Sequence, residues 1–211
     1  ITYLLKDADD IEIDTDLFCK LLAPENYSIK GDESANYTKD GSQIKFEITS
    51  DDTKYSIGRM VSKKKDVDIA NVKEDNGTLN LPKDLVPGKY QFIFTNDKYA
   101  DLSFTAVINS NLNAEQFHFE NNALKLDENE AGLTVKDYIS AITYAKVNDT
   151  EYKGGKGRKF GKVAFNEDGS INLDAKYSSD GKDEPVFAEA GTYTVVLKAD
   201  GYPDLTIEVT K

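Results

Sequence analysis

One stretch of about twenty residues occurs twice in this chain of 211 residues and decides its fold. It reads PGKYQFIFTNDKYADLSFT over residues 87–105 and AGTYTVVLKADGYPDLTIE over residues 190–208, aligned without gaps at an offset of 103. The identical pairs are Gly88/Gly191, Tyr90/Tyr193, Asp97/Asp200, Tyr99/Tyr202, Asp101/Asp204 and Leu102/Leu205. An interval of about a hundred residues is the size of a small domain and too long for a solenoid unit. The sequence therefore predicts two tandem copies of one domain, a first copy at residues 1–108 and a second copy at residues 109–211.

Both copies are predicted to consist mainly of β-strands, because runs of β-branched and aromatic residues are separated by Gly, Asn, Asp and Pro. The last two strands of each copy are joined by a short link, residues 96–101 or 200–204, which predicts a hairpin. Strands are predicted at residues 44–49, 77–81, 90–95 and 102–108, and at residues 142–147, 169–173, 193–198 and 205–209. This pattern predicts two small antiparallel, immunoglobulin-like β-sandwiches, each with a short helix.

Two short helices are expected. In the second copy Thr134 can cap a helix, Asp137 follows three residues later, and apolar residues recur at helical spacing up to Ile142. In the first copy an equivalent helix is predicted over 16–23, ended by Pro24. The second copy is also predicted to carry an extra loop over 177–183.

Composition excludes several classes of protein. The chain has 38 acidic and 26 basic residues, a net charge of -12, one His, one Cys and no Trp. Excess negative charge disfavours nucleic acid as a partner, and one Cys with one His supplies neither an intrachain disulfide nor a Cys/His zinc site. No apolar run approaches the ~18 residues of a membrane span. A chain that begins at Ile1 without a hydrophobic leader is expected to be a fragment, with any signal peptide or anchor outside it.

The sequence contains no nucleophile, phosphate-binding or heme motif, whereas a paired-carboxylate glycosidase stays open because 38 acidic residues always include a pair. Nucleophilic catalysis would have to recruit His118, which is predicted to be an exposed strand residue between two Phe, or Cys19, predicted to be a buried apolar residue. Phosphate-binding motifs fail in the segment KGGKGRKFGK (153–162), where Lys156 and Phe160 replace required glycines. No motif marks a heme ligand. The acidic run at 7–16 is predicted to be solvated, with a cation site as the alternative. We therefore expect no enzyme activity, no metal and no cofactor.

The segment that fails as a phosphate loop is notable for its charge. Lys153, Lys156, Arg158 and Lys159 occur there without an acidic residue, in a chain that is otherwise acidic. Two interpretations stay open: a mobile lysine-rich loop, or a basic patch that contacts an anionic group such as a cell-wall polymer or an acidic protein face.

The repeated block also resembles a known family. GTYTVVLKADGYPDLTIEV resembles the C-terminal signature of the Shr-like hemoglobin-interacting domain, long catalogued as a domain of unknown function in Gram-positive surface proteins. The matching residues are Gly191, Tyr193, Lys198, Ala199, Gly201, Tyr202 and Asp204, and YISAITYAKVNDTEY (138–152) resembles the family's helix-into-strand opening. The first copy departs from this signature at Thr95, Asn96 and Lys98.

The resemblance implies a β-rich extracellular module of a cell-wall-anchored or secreted bacterial protein. We expect a monomeric, noncatalytic binding or adhesion module whose partner is a host protein, with hemoglobin implied by the family, or a cell-surface polymer. The alternatives are a structural spacer repeat and a glycan-binding accessory module of a secreted enzyme. The candidate binding residues are Lys153, Lys156, Arg158, Lys159, Tyr99 and Tyr202, with turn packing as the alternative role for the two tyrosines.

Overall fold

The computed structural model describes residues 20–51, 53–63, 65–153, 160–179 and 182–211. Strands dominate this part of the chain, so the prediction of a mainly β fold is confirmed. Those before residue 110 are β1 (Ser28–Gly31), β2 (Ser34–Asn36), β3 (Gln43–Thr49), β4 (Ser56–Ser62), β5 (Lys65–Val67), β6 (Lys73–Asp75), β7 (Thr78–Asn80), β8 (Gly88–Thr95) and β9 (Leu102–Asn109). The later elements are a 3₁₀ helix (Ala114–Gln116), β10 (Phe117–Glu120), β11 (Ala123–Leu126), α1 (Val135–Ala141), β12 (Ile142–Val147), β13 (Thr150–Lys153), α2 (Phe160–Ala164), β14 (Lys176–Ser179), β15 (Lys182–Pro185), β16 (Thr192–Ala199) and β17 (Leu205–Thr210).

The first copy contains two sheets that pack through aromatic side chains. One has the strand order β1-β3-β7-β6 and the other the order β2-β9-β8-β4-β5. Phe46 on β3 meets Phe94 on β8 with ring centroids 4.7 Å apart. Phe104 on β9 lies so close to Gly31 on β1 that a Cβ atom at Gly31 would overlap its ring. Large rings opposite a glycine close the space between the sheets, as expected of a sandwich.

The second copy contains one four-stranded sheet, of order β13-β12-β16-β17, and two separate hairpins, β10–β11 and β14–β15. Buried residues of the sheet, the helices and both hairpin regions form a single cluster. At its centre Tyr138 of α1 is fully buried and packs against Phe117 of β10, with ring centroids 4.8 Å apart.

Buried apolar residues fall into two clusters along the chain. One includes buried residues from Tyr27 to Ile108, and the other includes those from Phe117 to Val209. Two tandem copies stay a prediction, which this division into two cores supports.

Local sequence signals account for the elements that were predicted correctly. The hairpins β8–β9 and β16–β17 form where alternating apolar runs flank the short links. Helix α1 begins where expected, because the Thr134 side chain accepts a hydrogen bond from the Asp137 amide while the Asp137 carboxylate accepts one from the Thr134 amide. Strand β12 follows this helix directly, as the sequence predicts.

Four expectations need correction. Residues 20–23 are extended rather than helical, because the Leu21 amide donates to Lys98 and the Leu21 carbonyl accepts from Ala100; residues 16–19 lie outside the described part. No helix occurs in the described residues up to 109, so the first copy lacks its expected helix there. Residues 169–173 form only isolated bridges, to Ala123 and Phe165. The predicted extra loop at 177–183 instead falls in the hairpin β14–β15. The prediction of antiparallel sheets is confirmed, with one parallel pair of strands, β2 and β9, among them.

Replacing Phe92 by alanine tests the core of the first copy. Phe92 is fully buried in β8, so Phe92→Ala is expected to lower the free energy of unfolding by about 3–5 kcal/mol through lost burial and the cavity left behind. The measurement is urea denaturation followed by circular dichroism. Lys89→Ala, at an exposed position of the same strand, serves as the control and should stay within about 0.5 kcal/mol of the parent chain. Equal effects of the two substitutions would contradict this core.

Candidate functional site

The links of the two C-terminal hairpins place their tyrosines in the same way. Tyr99 meets Tyr27 edge-on, with ring centroids 5.4 Å apart, and Tyr202 meets Tyr138 edge-on at 5.5 Å. Both rings are half-buried and pack on an aromatic side chain of their own copy. The Lys98 Nζ atom lies 4.8 Å from the Tyr99 ring centroid, a distance at which a cation–π attraction acts.

The hydroxyl group of Tyr202 is enclosed by the protein. The oxygen is buried and has no hydrogen-bond partner among the described residues. Burial, followed by the nearby charge of Asp137, raises the pKa of Tyr202 above its usual value. The structure thus places the ring of Tyr202 in packing contacts, and a binding role for Tyr99 and Tyr202 stays a prediction.

Of the four basic candidates, only Lys153 lies in the described part of the chain. It is exposed at the end of β13, and its Nζ atom lies 2.7 Å from the Glu151 carboxylate. This hydrogen bond raises the pKa of Lys153 and lowers the pKa of Glu151. Lys156, Arg158 and Lys159 lie outside the described residues, so the basic patch stays a prediction.

A surface that the sequence interpretation missed lies beside Lys153, on the outer face of the four-stranded sheet. Tyr144 on β12 is half-buried and stands opposite Lys153 of β13 on one side and Lys198 of β16 on the other. The Tyr144 hydroxyl donates to Glu151 at 3.1 Å. We call this surface the Tyr144 face, formed by Tyr144, Glu151, Lys153, Val196 and Lys198.

Ion pairs and packing hold the Tyr144 face in shape. Lys198 Nζ lies 3.1 Å from an Asp204 carboxylate oxygen, and Glu151 bridges Tyr144 and Lys153. Reduced contact with water, followed by the hydrogen bond to Glu151, raises the pKa of Tyr144. Under the face, Ala145, Val195 and Leu197 are buried in the core of the second copy. The available sequence signal was the alternation in β12, where Tyr144 and Lys146 alternate with Ala145 and Val147. This alternation places Tyr144 and Lys146 on the same face of the sheet.

Of the residues considered for catalysis and metal binding, His118 lies in the described part of the chain. His118 is exposed on β10, between two Phe as predicted, and its Nε2 atom lies 3.0 Å from an Asp127 oxygen. No group of three His, Cys, Asp or Glu residues that could hold a metal ion occurs in the part of the chain that the structure describes. Cys19 and the acidic run at 7–16 lie outside it. No helix in the described residues has the length and the apolar character needed to cross a membrane.

Comparison with protein families identifies the second copy. The family model described as "Heme-binding protein Shr-like, Hb-interacting domain" matches residues 117–210. The matched range contains the four-stranded sheet, the Tyr144 face and the Gly201–Tyr202 link. The predicted resemblance to the Shr-like hemoglobin-interacting domain is therefore confirmed.

Other comparisons give only remote likenesses. No curated protein matches the sequence. Extracellular domains 3–5 of Drosophila OTK are 14% identical over 91% of this chain and 67% of that one, with a TM-score of 0.36. The Bacteroides ovatus glucan-utilization protein SGBP-B, solved with a mixed-linkage heptasaccharide, is 11% identical over 97% of this chain and 48% of its own, with a TM-score of 0.27. Domains 6–7 of surface layer protein SbsC are 14% identical over 88% and 97%, with a TM-score of 0.26. At these scores the likenesses carry no argument about function.

Two Tyr→Phe substitutions test the packing role of the link. Because the Tyr202 hydroxyl is buried without a partner, Tyr202→Phe is expected to leave the free energy of unfolding unchanged or to raise it by up to about 1 kcal/mol. The Tyr193 hydroxyl donates to the Glu189 carbonyl at 2.7 Å and accepts from the Glu189 amide at 2.9 Å. Tyr193→Phe should therefore lower that free energy by about 1 kcal/mol. Urea denaturation measures both, and a larger loss for Tyr202→Phe than for Tyr193→Phe would contradict the assignment.

Proposed function

We propose that this chain is a noncatalytic, extracellular binding module of a bacterial surface or secreted protein, and that its second copy binds hemoglobin or another host protein. The observation that carries the proposal is the match of residues 117–210 to a hemoglobin-interacting domain family.

The Tyr144 face is the surface we assign to the partner. A half-buried tyrosine offers contact area at a low entropy cost, because it has few rotatable bonds. Lys153 and Lys198 stand on either side of it, each paired with a carboxylate that limits its motion before binding. Side chains that are already ordered lose less entropy when a partner binds. The sheet beneath is rigid because its inner side chains belong to the buried core.

The basic residues that follow Lys153 in the sequence extend this proposal. Lys156, Arg158 and Lys159 come within six residues of Lys153, and we propose that they add positive charge beside the Tyr144 face. For Tyr99 and Tyr202 we propose the packing role instead, because each ring meets a core tyrosine.

Binding to immobilised human hemoglobin tests the proposal. In surface plasmon resonance the full chain should bind with a Kd below tens of micromolar. Tyr144→Ala should weaken binding at least ~10-fold, because truncating a central aromatic contact costs about 2 kcal/mol or more. Lys198→Ala should weaken it less and should reduce its dependence on salt. Lys45→Ala, an exposed position on β3 of the first copy, is the matched control and should leave the Kd unchanged.

The outcomes separate the competing functions. Absence of binding at tens of micromolar would remove hemoglobin as the partner. If Tyr144→Ala binds hemoglobin as tightly as the parent chain, the binding site lies outside the Tyr144 face. If hemoglobin is not retained, a specific signal on a glycan array would favour the glycan-binding alternative, and no signal in either experiment would favour the structural spacer.

A further inference from the structure

The link that carries Gly201, the signature glycine of the family, lies where the two copies meet. Ser110 follows β9 directly and is buried, and its amide donates to the Gly201 carbonyl at 2.7 Å. Gly201 adopts a φ of +80°, which disfavours other residues. A Cβ atom at this position would overlap the Ile108 carbonyl oxygen and lie 2.6 Å from the Gly88 nitrogen. The absence of a side chain thus lets the link of the second copy rest on the end of the β8–β9 hairpin.

Further contacts link the two copies around this glycine. The Asn111 side chain donates to the Tyr37 carbonyl at 3.4 Å, and Lys63 Nζ donates to the Ser140 carbonyl at 2.9 Å. Gly88, which receives the link, is buried. The two copies therefore contact each other through the Gly201 link and through side chains beside it.

The strand pairing at the end of the second copy matches the pairing at the end of the first copy. Gly88 and Gly191, aligned in the repeat, have φ values of +157° and +155°. Gly88 stands opposite Ile108 in the β8–β9 pairing, and Gly191 exchanges two backbone hydrogen bonds with Lys211, at 3.0 and 2.9 Å. The tyrosines two residues further on also match, because Tyr90 donates to the Val86 carbonyl at 2.6 Å and Tyr193 donates to the Glu189 carbonyl at 2.7 Å.

Among the described residues, only the first of these two equivalent ends is covered by the other copy. Gly88 lies under Gly201, whereas Gly191 is exposed, and a Cβ atom built on Gly191 would meet no described atom within 4 Å. We call the surface formed by Ala190, Gly191 and Lys211 the free end. It repeats the shape of a face that, one copy earlier, receives a Gly-Tyr link.

The link of the first copy differs from that of the second copy at the glycine position. Lys98 stands where the second copy has Gly201, and the Lys98 carbonyl accepts from Leu21 at 2.9 Å, as the Gly201 carbonyl accepts from Ser110. Both links therefore bind an N-terminal backbone segment of their own copy. A side chain at this position would collide with a hairpin end placed as Gly88 and Ile108 are. Glycine is thus the feature that allows a link to dock on another copy.

We propose that the free end is a docking face for the Gly-Tyr link of a further domain of this family, seated as Gly201 is seated on Gly88. Such contacts join unlike surfaces head to tail, so they build a linear array with fixed junctions rather than a closed assembly. We also expect that the link of the first copy does not dock on the free end of another copy, because Lys98 occupies the position of the required glycine. This proposal does not depend on the identity of the bound partner.

An extended chain tests the docking face directly. The full chain is lengthened by a duplicate of residues 109–211 placed after Lys211, because Lys211 aligns with Ile108 at the offset of the repeat. Rotational correlation times from ¹⁵N relaxation then report whether the added copy tumbles with the rest. We expect one shared correlation time for the whole extended chain.

Two substitutions on opposite sides of the junction serve as matched variants. Gly201→Arg in the added copy alone blocks the incoming link and should give that copy a shorter correlation time. Ala190→Arg, made only in the preceding second copy, places a long side chain on the exposed free end and should do the same without altering the added copy. Because the second variant leaves the added copy unchanged, it keeps the test valid if the first variant unfolds. The proposal is overturned if the added copy tumbles independently in the extended chain, or if Ala190→Arg leaves the shared correlation time unchanged.

Discussion

The antiparallel pairing of the last two strands in each copy is the constraint on which the rest of the structure depends. Strand β8 pairs with β9 and strand β16 with β17 over six or more residues. Each inner strand then receives another neighbour, β4 in the first copy and β12 in the second. At one end of each hairpin a tyrosine hydroxyl bonds to a carbonyl four residues upstream, and at the other a short link packs its tyrosine on the core. The Tyr144 face and the junction between the copies both use positions that this pairing creates.

Sequence signals predicted the features that neighbouring residues determine. The hairpins follow from strand composition and turn residues, and α1 follows from a capping box that needs only Thr134 and Asp137. Residues 20–23 could not be predicted in this way, because Leu21 pairs with the backbone around Tyr99, nearly eighty residues later. The same reason explains why the Tyr144 face was missed. Lys198 comes to stand opposite Tyr144 only through the register of β12 and β16, which the sequence does not state.

We propose different tasks for different parts of the second copy. Gly201 and Tyr202 belong to the family signature, yet their observed contacts are with the first copy and with Tyr138. The Tyr144 face lies on β12, β13 and β16, where Lys153 and Lys198 are exposed. The signature residues therefore make packing and junction contacts, and the recognition role is the one we propose for the exposed sheet face. The two proposals rest on different residues, so the failure of one leaves the other standing.

Amide hydrogen exchange measured by NMR under native conditions tests the central claim, that each copy is organised around its C-terminal hairpin. The inner strands β8 and β16 are bonded on both sides, so their amides open only when a copy unfolds. We expect the amides of Phe92 and Phe94 in β8 to exchange more slowly than the other amides of the first copy. In the second copy we expect the same of Val195 and Leu197 in β16. Exchange in β16 as fast as in the separate hairpin β14–β15 would contradict it.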